Sequence, residues 1–282
     1  MEKINYIIPV CNVNEKEYDY RLKSINFLIN EFLAKQTNIE LNIIIIEQFI
    51  NEEKKDFTSN IEIPIWINHK CIGVEYHTFV KPWLYNIGFK EAKTEHCFIS
   101  EMESLTTERN FLSDILDIVK EKKYQWCFCY DKWYFLNEEQ TNDYLQNKSI
   151  DSLEEIHFTI PEPKSWAGGI IYFNKDFWWN HLHGANEMYR NLIGNDNELT
   201  MRAAKSCMNT NTCQKNLFHL YHPKSDLKYP SEVINRKMFH YTKGGRNHEA
   251  VNKFLAKKNL GNLDEPLDLN DKLIDEFFKS KF

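Results

Sequence analysis

Two carboxylates one residue apart, Glu101 and Glu103, follow directly on the apolar run 97–99 and Ser100. A strand alternates its side chains, so a strand that runs on through both would project them to one side. Carboxylates that close repel unless water solvates them or a cation sits between them. Hard divalent cations such as Mg²⁺ and Mn²⁺ take oxygen ligands and share them with substrate phosphates. An acid-x-acid pair at a strand end therefore suits a metal clip for a diphosphate. Two solvated glutamates at the start of a loop is the plainer reading of the pair alone.

Other residues that could do chemistry also lie at the ends of apolar runs. Glu47 closes the run 41–46, Gly168 and Gly169 lead into 170–173, and His219 and His222 flank the end of 217–221. The two histidines are three apart, which on a strand separates their faces and predicts at most one metal ligand between them. Asp196 opens the stretch 195–208, whose spacing is helical. An acid there suits the helix dipole. Trp166, Trp178 and Trp179 could line a binding site or fill a core.

The elements that must hold these residues alternate. Residues 4–8 read as a strand closed by Pro9, 19–35 as an amphipathic helix, 41–46 as a strand, and 63–67 as an edge strand because of Pro64. A helix over 79–92 precedes the strand at 97–100, and another follows over 110–120. Residues 124–136 read as one or two strands, 138–155 as a polar excursion, and 168–173 as a strand. Short helical patches cover 176–179 and 186–192, and Asn270 is placed to cap a last helix. This alternation predicts an α/β fold with a mostly parallel sheet, and ligands of such folds sit at the carboxyl ends of the strands.

The 282 residues allow one large domain or two small ones. A hydrophobic share of 42% with 14% aromatics supports a core, and a net charge of −6 gives no global case for nucleic-acid binding. Charge is uneven: residues 224–260 carry nine Lys or Arg against three Asp or Glu. Arg236 and Lys237 in that segment, with Lys243 and Arg246, could face a phosphate-rich partner, a solvated basic face being the plainer reading. Seven cysteines without a CxxC pair predict reduced thiols. With no leader pattern after Met1 and no apolar run long enough to span a bilayer, a cytoplasmic location is expected.

In this order the motifs resemble the GT-A glycosyltransferases of the family-2 and family-27 type, over residues 4–225. Ile7-Ile8-Pro9-Val10 is similar to the family's opening strand, and Arg21 stands near its arginine after the first loop. Glu47-Gln48 resembles the end of the second strand, beside the nucleotide base. Lys81-Pro82-Trp83-Leu84-Tyr85-Asn86-Ile87-Gly88 is similar to the segment that approaches the donor diphosphate. Glu101-Met102-Glu103 falls where the metal-binding D-x-D stands, and Trp166-Ala167-Gly168-Gly169 resembles the glycine-rich segment near donor sugar and acceptor. His183-Gly184-Ala185-Asn186-Glu187 and Gly194-Asn195-Asp196-Asn197-Glu198-Leu199, with Arg202, resemble the acceptor-side segments, the second of which supplies the catalytic base. Phe218-His219-Leu220-Tyr221-His222-Pro223 resembles the closing histidine segment.

The resemblance implies a Rossmann-like αβα sandwich with a donor half over about 1–105 and an acceptor half over about 106–225. Residues 226–282 form a C-terminal basic segment and helix. It implies transfer of a sugar from a nucleotide diphosphate, a UDP-sugar by default, to an acceptor hydroxyl. Asp196 would be general base in an inverting displacement. Mn²⁺ or Mg²⁺ would sit on Glu101, Glu103 and one of His219 and His222. Donor contacts would come from Pro9, Val10, Arg21, Glu47, Lys81, Asn86, Glu101, Met102, Trp166, Gly168 and Gly169, and acceptor contacts from Asn186, Glu187 and Asn195, with Arg236 and Lys237 added for an anionic acceptor. The acceptor class stays open: a glycan, a protein, a lipid head group, or an anionic polymer including modified DNA. Glu-x-Glu in place of Asp-x-Asp, and Asn195 in place of a glutamate, depart from the family. They keep a catalytically inactive binding module as the alternative. A nucleotidyltransferase is the other, although 11–15 lacks the glycine-rich or basic loop it needs.

Overall fold

The computed structural model describes residues 1–11, 15–50, 57–147, 168–190, 195–207, 212–223, 232–242 and 247–279. Its elements run β1 (Glu2–Cys11), α1 (Glu15–Phe27), β2 (Ile39–Phe49), β3 (Asn68–Glu75), α2 (Lys81–Glu91), β4 (His96–Ser100), β5 (Ser104–Leu105) and α3 (Phe111–Lys122). They continue through β6 (Trp126–Phe128), β7 (Lys132–Phe135), α4 (Glu138–Asn147), β8 (Ile170–Asn174), α5 (Lys175–Asn180), α6 (Asn195–Cys207) and β9 (Asn216–His219). The last are α7 (Glu232–Thr242), α8 (His248–Leu255) and α9 (Asp271–Lys279).

Ile7, Ile8 and Ile43 to Ile46 are all buried, as strands covered on both faces require. They build the middle of a six-stranded sheet in the order β3-β2-β1-β4-β8-β6. β3, β2, β1 and β4 pair in parallel, and β8 runs antiparallel to both β4 and β6. A small sheet, β5-β9-β7, lies beyond the end of β4. Helix α2 lies close on β1 because Gly88 has no side chain; a Cβ there would stand 2.4 Å from Ile7 Cγ2.

This topology puts the ends that matter together. The carboxyl ends of β1, β2 and β4 share one edge of the sheet. Because β8 is reversed, with Ile170 opposite Ser100, its amino end, and Gly168 and Gly169 before it, arrives at that same edge. Helix α2 starts there too, after β3.

Several expectations shift. Pro9 does not close β1 but sits inside it, opposite Ile46. The last β1–β4 pair is Ile7 with Ile99, so Pro9 lies where one edge of β1 is free of β4 and a missing N–H is tolerated. Residues 61–67 are not a strand. A turn brings the Ile67 N–H onto the Pro64 carbonyl, and Ile65 is 98% exposed. The edge strand is β3 instead; it is almost wholly exposed and so carries no apolar alternation to announce it. The expected helical patch at 186–192 is a turn through residue 190, and 191–194 lie outside the described residues. In the polar stretch α4 forms. Helices α7 and α8 come from the basic segment, and with α9 they close a second apolar cluster around Met188 and Tyr189. Asn270 caps α9, its Oδ1 accepting from the Leu273 N–H.

Candidate functional site

β4 ends at Ser100, and 101–104 is a turn in which the Ser104 N–H donates to the Glu101 carbonyl. Strand alternation therefore does not reach the acid pair, and the two side chains part. Glu101 Oε1 accepts from Lys81 Nζ at 2.8 Å. Glu103 Oε1 lies 3.1 Å from Arg21 Nη1, and Arg21 Nε also donates to Glu17 one helical turn earlier at 3.2 Å.

Lys81 is the first residue of α2, and its ammonium joins two distant segments. The same Nζ donates to Asp196 Oδ2 at 2.9 Å, in the first turn of α6. Burial works against the Lys81 charge, but Asp196 and Glu101 outweigh it and hold the ammonium well above the ordinary lysine range. Burial also raises Glu101, yet the Lys81 charge prevails and leaves that carboxyl below its ordinary value. Asp196 goes the other way: burial, reinforced by the charge of Glu101, lifts it above 3.8 despite Lys81. The Tyr85 hydroxyl, one turn along α2, favours the same carboxylate.

The glycines fit around Glu101. Gly168 and Gly169 have φ of +93° and +72°, a region that disfavours any side chain. A Cβ on Gly168 would stand 2.9 Å from Glu101 Oε1, and one on Gly169 would stand 2.6 Å from Tyr130 Cε1. The Gly169 N–H reaches Glu101 Oε2 at 3.4 Å, and the Tyr130 hydroxyl donates to the Gly168 carbonyl at 2.9 Å.

His219 ends β9 opposite Ser104. Its ring stacks on Phe135 and meets Trp133 edge-on. Burial holds the imidazole below 6.5 against the pull of Glu101 and Glu103, so it is neutral at pH 7 with a lone pair to offer. The chain leaves the strand after His219. The His222 ring therefore comes to 5.5 Å from the His219 ring, centroid to centroid, rather than turning to an opposite face. His222 Nδ1 meets the Pro223 carbonyl at 3.0 Å.

No three His, Cys, Asp or Glu side chains among the described residues stand together as a finished cation cage. The donor set nonetheless suits a hard divalent cation. Glu103 Oε1 is buried and accepts no hydrogen bond, the Arg21 guanidinium being near but not directed at it. His219 is neutral. Four carboxylates (Glu17, Glu101, Glu103 and Asp196) meet two cations in these ion pairs, an excess of two negative charges.

Other expected site residues are committed elsewhere. Glu47, fully buried, accepts from the Phe57 N–H at 2.8 Å and the Thr58 N–H at 3.0 Å. It ties β2 to the following segment. Asn86 spends its amide on the Ala185 backbone, Glu187 and the Trp178 indole. Glu187 accepts from Asn86 at 2.9 Å and from the Gly261 and Leu267 N–H groups at 2.5 and 3.1 Å. Burial raises its carboxyl above the ordinary value. Asn86 and Glu187 thus form a clasp for the C-terminal segment. Asn186 and Asn195 each keep a buried amide nitrogen without a partner, and Asn195 Oδ1 accepts from the Asp196 N–H. Val10 and Met102 are buried in the core, and Pro9 is buried in β1. Trp178 stacks on Phe89 at 3.8 Å and is core. Trp166, Lys243 and Arg246 lie outside the described residues. Arg236 and Lys237 are exposed on α7, which packs against α6.

Sequence reading missed Tyr85, Tyr130, Trp133 and Glu17. Tyr85 and Glu17 carried a signal, each lying four residues along a helix from a site cation, Lys81 and Arg21. Trp133 carried none. Its indole N–H is buried without a partner beside His219.

The architecture, a mostly parallel six-stranded sheet with helices around it and a small second sheet, is that of the GT-A fold. S. aureus TarS 1-349, solved with UDP-GlcNAc, superposes with a TM-score of 0.58 at 15% identity, over 99% of this chain and 72% of that one. The same protein solved with UDP gives 0.52 at 14%, over 92% and 76%. A longer S. aureus TarS gives 0.53 at 14%, over 87% of this chain and 44% of that one. No protein-family model and no curated protein matches the chain in sequence.

Proposed function

We propose that this protein is a glycosyltransferase that moves a sugar from a nucleotide diphosphate to an acceptor hydroxyl. The observation that carries the reading is Lys81, whose ammonium joins Glu101 and Asp196 at the carboxyl edge of the sheet. It assembles a cation, a donor-side acid and a candidate base from three separate segments. The TarS structures hold UDP-GlcNAc and UDP, which supports a uridine donor. Without Glu47, uridine selectivity would rest on other contacts.

Charge develops on the diphosphate as it leaves. Lys81 faces that charge as a buried ammonium. A divalent cation, Mn²⁺ in preference to Mg²⁺ because of the imidazole, would be held by Glu103 and His219 with Glu101 beside them, and would neutralise the same charge. Asp196 takes the proton of the attacking hydroxyl. Its raised carboxyl value makes it a better base than an ordinary aspartate, and a single displacement inverts the anomeric centre. Arg236 and Lys237 would meet an anionic acceptor. The seven cysteines carry no disulfide, which fits work in a reducing compartment such as the cytoplasm.

The test is calorimetric titration of UDP with and without Mn²⁺ into the wild type and Glu103→Ala. Binding that strengthens with Mn²⁺ only in the wild type is expected. A folded wild type that binds no nucleotide diphosphate from a panel, with any metal, would leave an inactive module.

A further inference from the structure

Lys81 has three N–H donors, and two are spent on Glu101 and Asp196 inside the fold. Its side chain is 7% exposed, so water offers it little else. Each acid has a second donor to fall back on: Glu101 the Gly169 N–H, and Asp196, whose one cation among the described residues is Lys81, the Tyr85 hydroxyl. A carboxylate ion-paired to an ammonium is a poor proton acceptor, and an ammonium fixed between two carboxylates has one donor left for a phosphate.

We infer that Lys81 is a switch that donor binding throws: the diphosphate takes the ammonium from Asp196, and only then is Asp196 free to serve the acceptor. The inference rests on the donor-site reading above. It makes donor binding precede productive acceptor binding. It also makes Asp196 and the diphosphate competitors for one cation in a buried site, where charge-assisted hydrogen bonds are strongest.

A double-mutant cycle on UDP affinity tests it, read by calorimetry at one fixed Mn²⁺ concentration with Asp196→Asn, Lys81→Met and the double variant. Removing the competitor should tighten UDP binding about tenfold in Asp196→Asn, and that gain should vanish in the Lys81→Met background. A gain of the same size in both backgrounds means simple charge repulsion and overturns the switch, as does no gain at all. Lys81→Met leaves two buried acids without their cation, which puts its folding at risk, so crystal structures of the wild type with and without UDP serve as the second measurement. The Lys81–Asp196 contact should be present without UDP and broken with it; a lysine still bonded to both overturns the proposal. No UDP binding by the wild type in either experiment removes the donor reading itself and the switch with it.

Discussion

Glu101 and Glu103 stand two residues apart and answer to different cations, Lys81 on α2 and Arg21 on α1. The turn after Ser100 separates them, so the two carboxylates face different partners instead of sharing one side. Their variants should differ accordingly. Glu101→Gln should weaken the hold on Lys81 and disturb Asp196, whereas Glu103→Gln should chiefly change metal response. Parallel UDP titrations with and without Mn²⁺ would separate the two.

Asp196→Asn should leave the fold and its melting temperature near wild type and lower kcat by about 10²–10⁴-fold, the usual worth of a positioned base. A helix-start acid of no catalytic use would cost the melting temperature a little and kcat almost nothing.

The pH profile carries a sign. Asp196 works in its ionised form, and burial with Glu101 beside it raises its carboxyl above 3.8. Activity should be full above the raised value and fall as pH drops through it. The acid limb of kcat should therefore lie above the ordinary aspartate range, and should be absent from the residual activity of Asp196→Asn.

The two histidines should be unequal. His219 feels both Glu101 and Glu103, whereas His222 has one ring nitrogen against the Pro223 carbonyl. His219→Ala should cost more Mn²⁺ affinity than the about 10–100-fold loss typical of an outer-shell partner, and His222→Ala should cost no more than that range. Metal titration in the presence of UDP would rank them; equal losses would make both ligands.

Glu47→Ala and Glu187→Ala should act on stability rather than on nucleotide choice. Each removal strands backbone N–H groups that the carboxylate accepts from, at about 1–3 kcal/mol for each group left buried and unsatisfied. Lower denaturation midpoints with an unchanged ratio of UDP to GDP affinity are expected. A changed ratio for Glu47→Ala would return that residue to the base pocket.

Much of this was legible in the chain itself. β2, α2, α3, β8 and α6 announce themselves because buried strands and amphipathic helices write their burial into residue spacing. So do Lys81, Glu101 and Asp196, which sit at the ends of such elements. β3 was not legible because an exposed edge strand needs no apolar pattern. The backbone partners of Glu47 and Glu187 were not legible either. A carboxylate at an element's end looks alike whether it faces a ligand or a backbone N–H, and the amides of Phe57, Thr58, Gly261 and Leu267 leave no mark in side-chain identity. Trp133 was hidden because its partner, His219, is 86 positions away and joins it only through the pairing of β7 with β9.

The Asn86–Glu187 clasp bears on where this molecule can be cut. Gly261 and Leu267 hand their amides to an acid that also holds the helix carrying Lys81. The segment from Gly261 to Leu267 is thereby tied to the helix that Lys81 begins. A chain shortened to its sheet would keep Lys81, Glu101, Glu103, Asp196 and His219 and lose the brace that keeps α2 in place. The tail is thus a structural support for those residues, whatever else it binds.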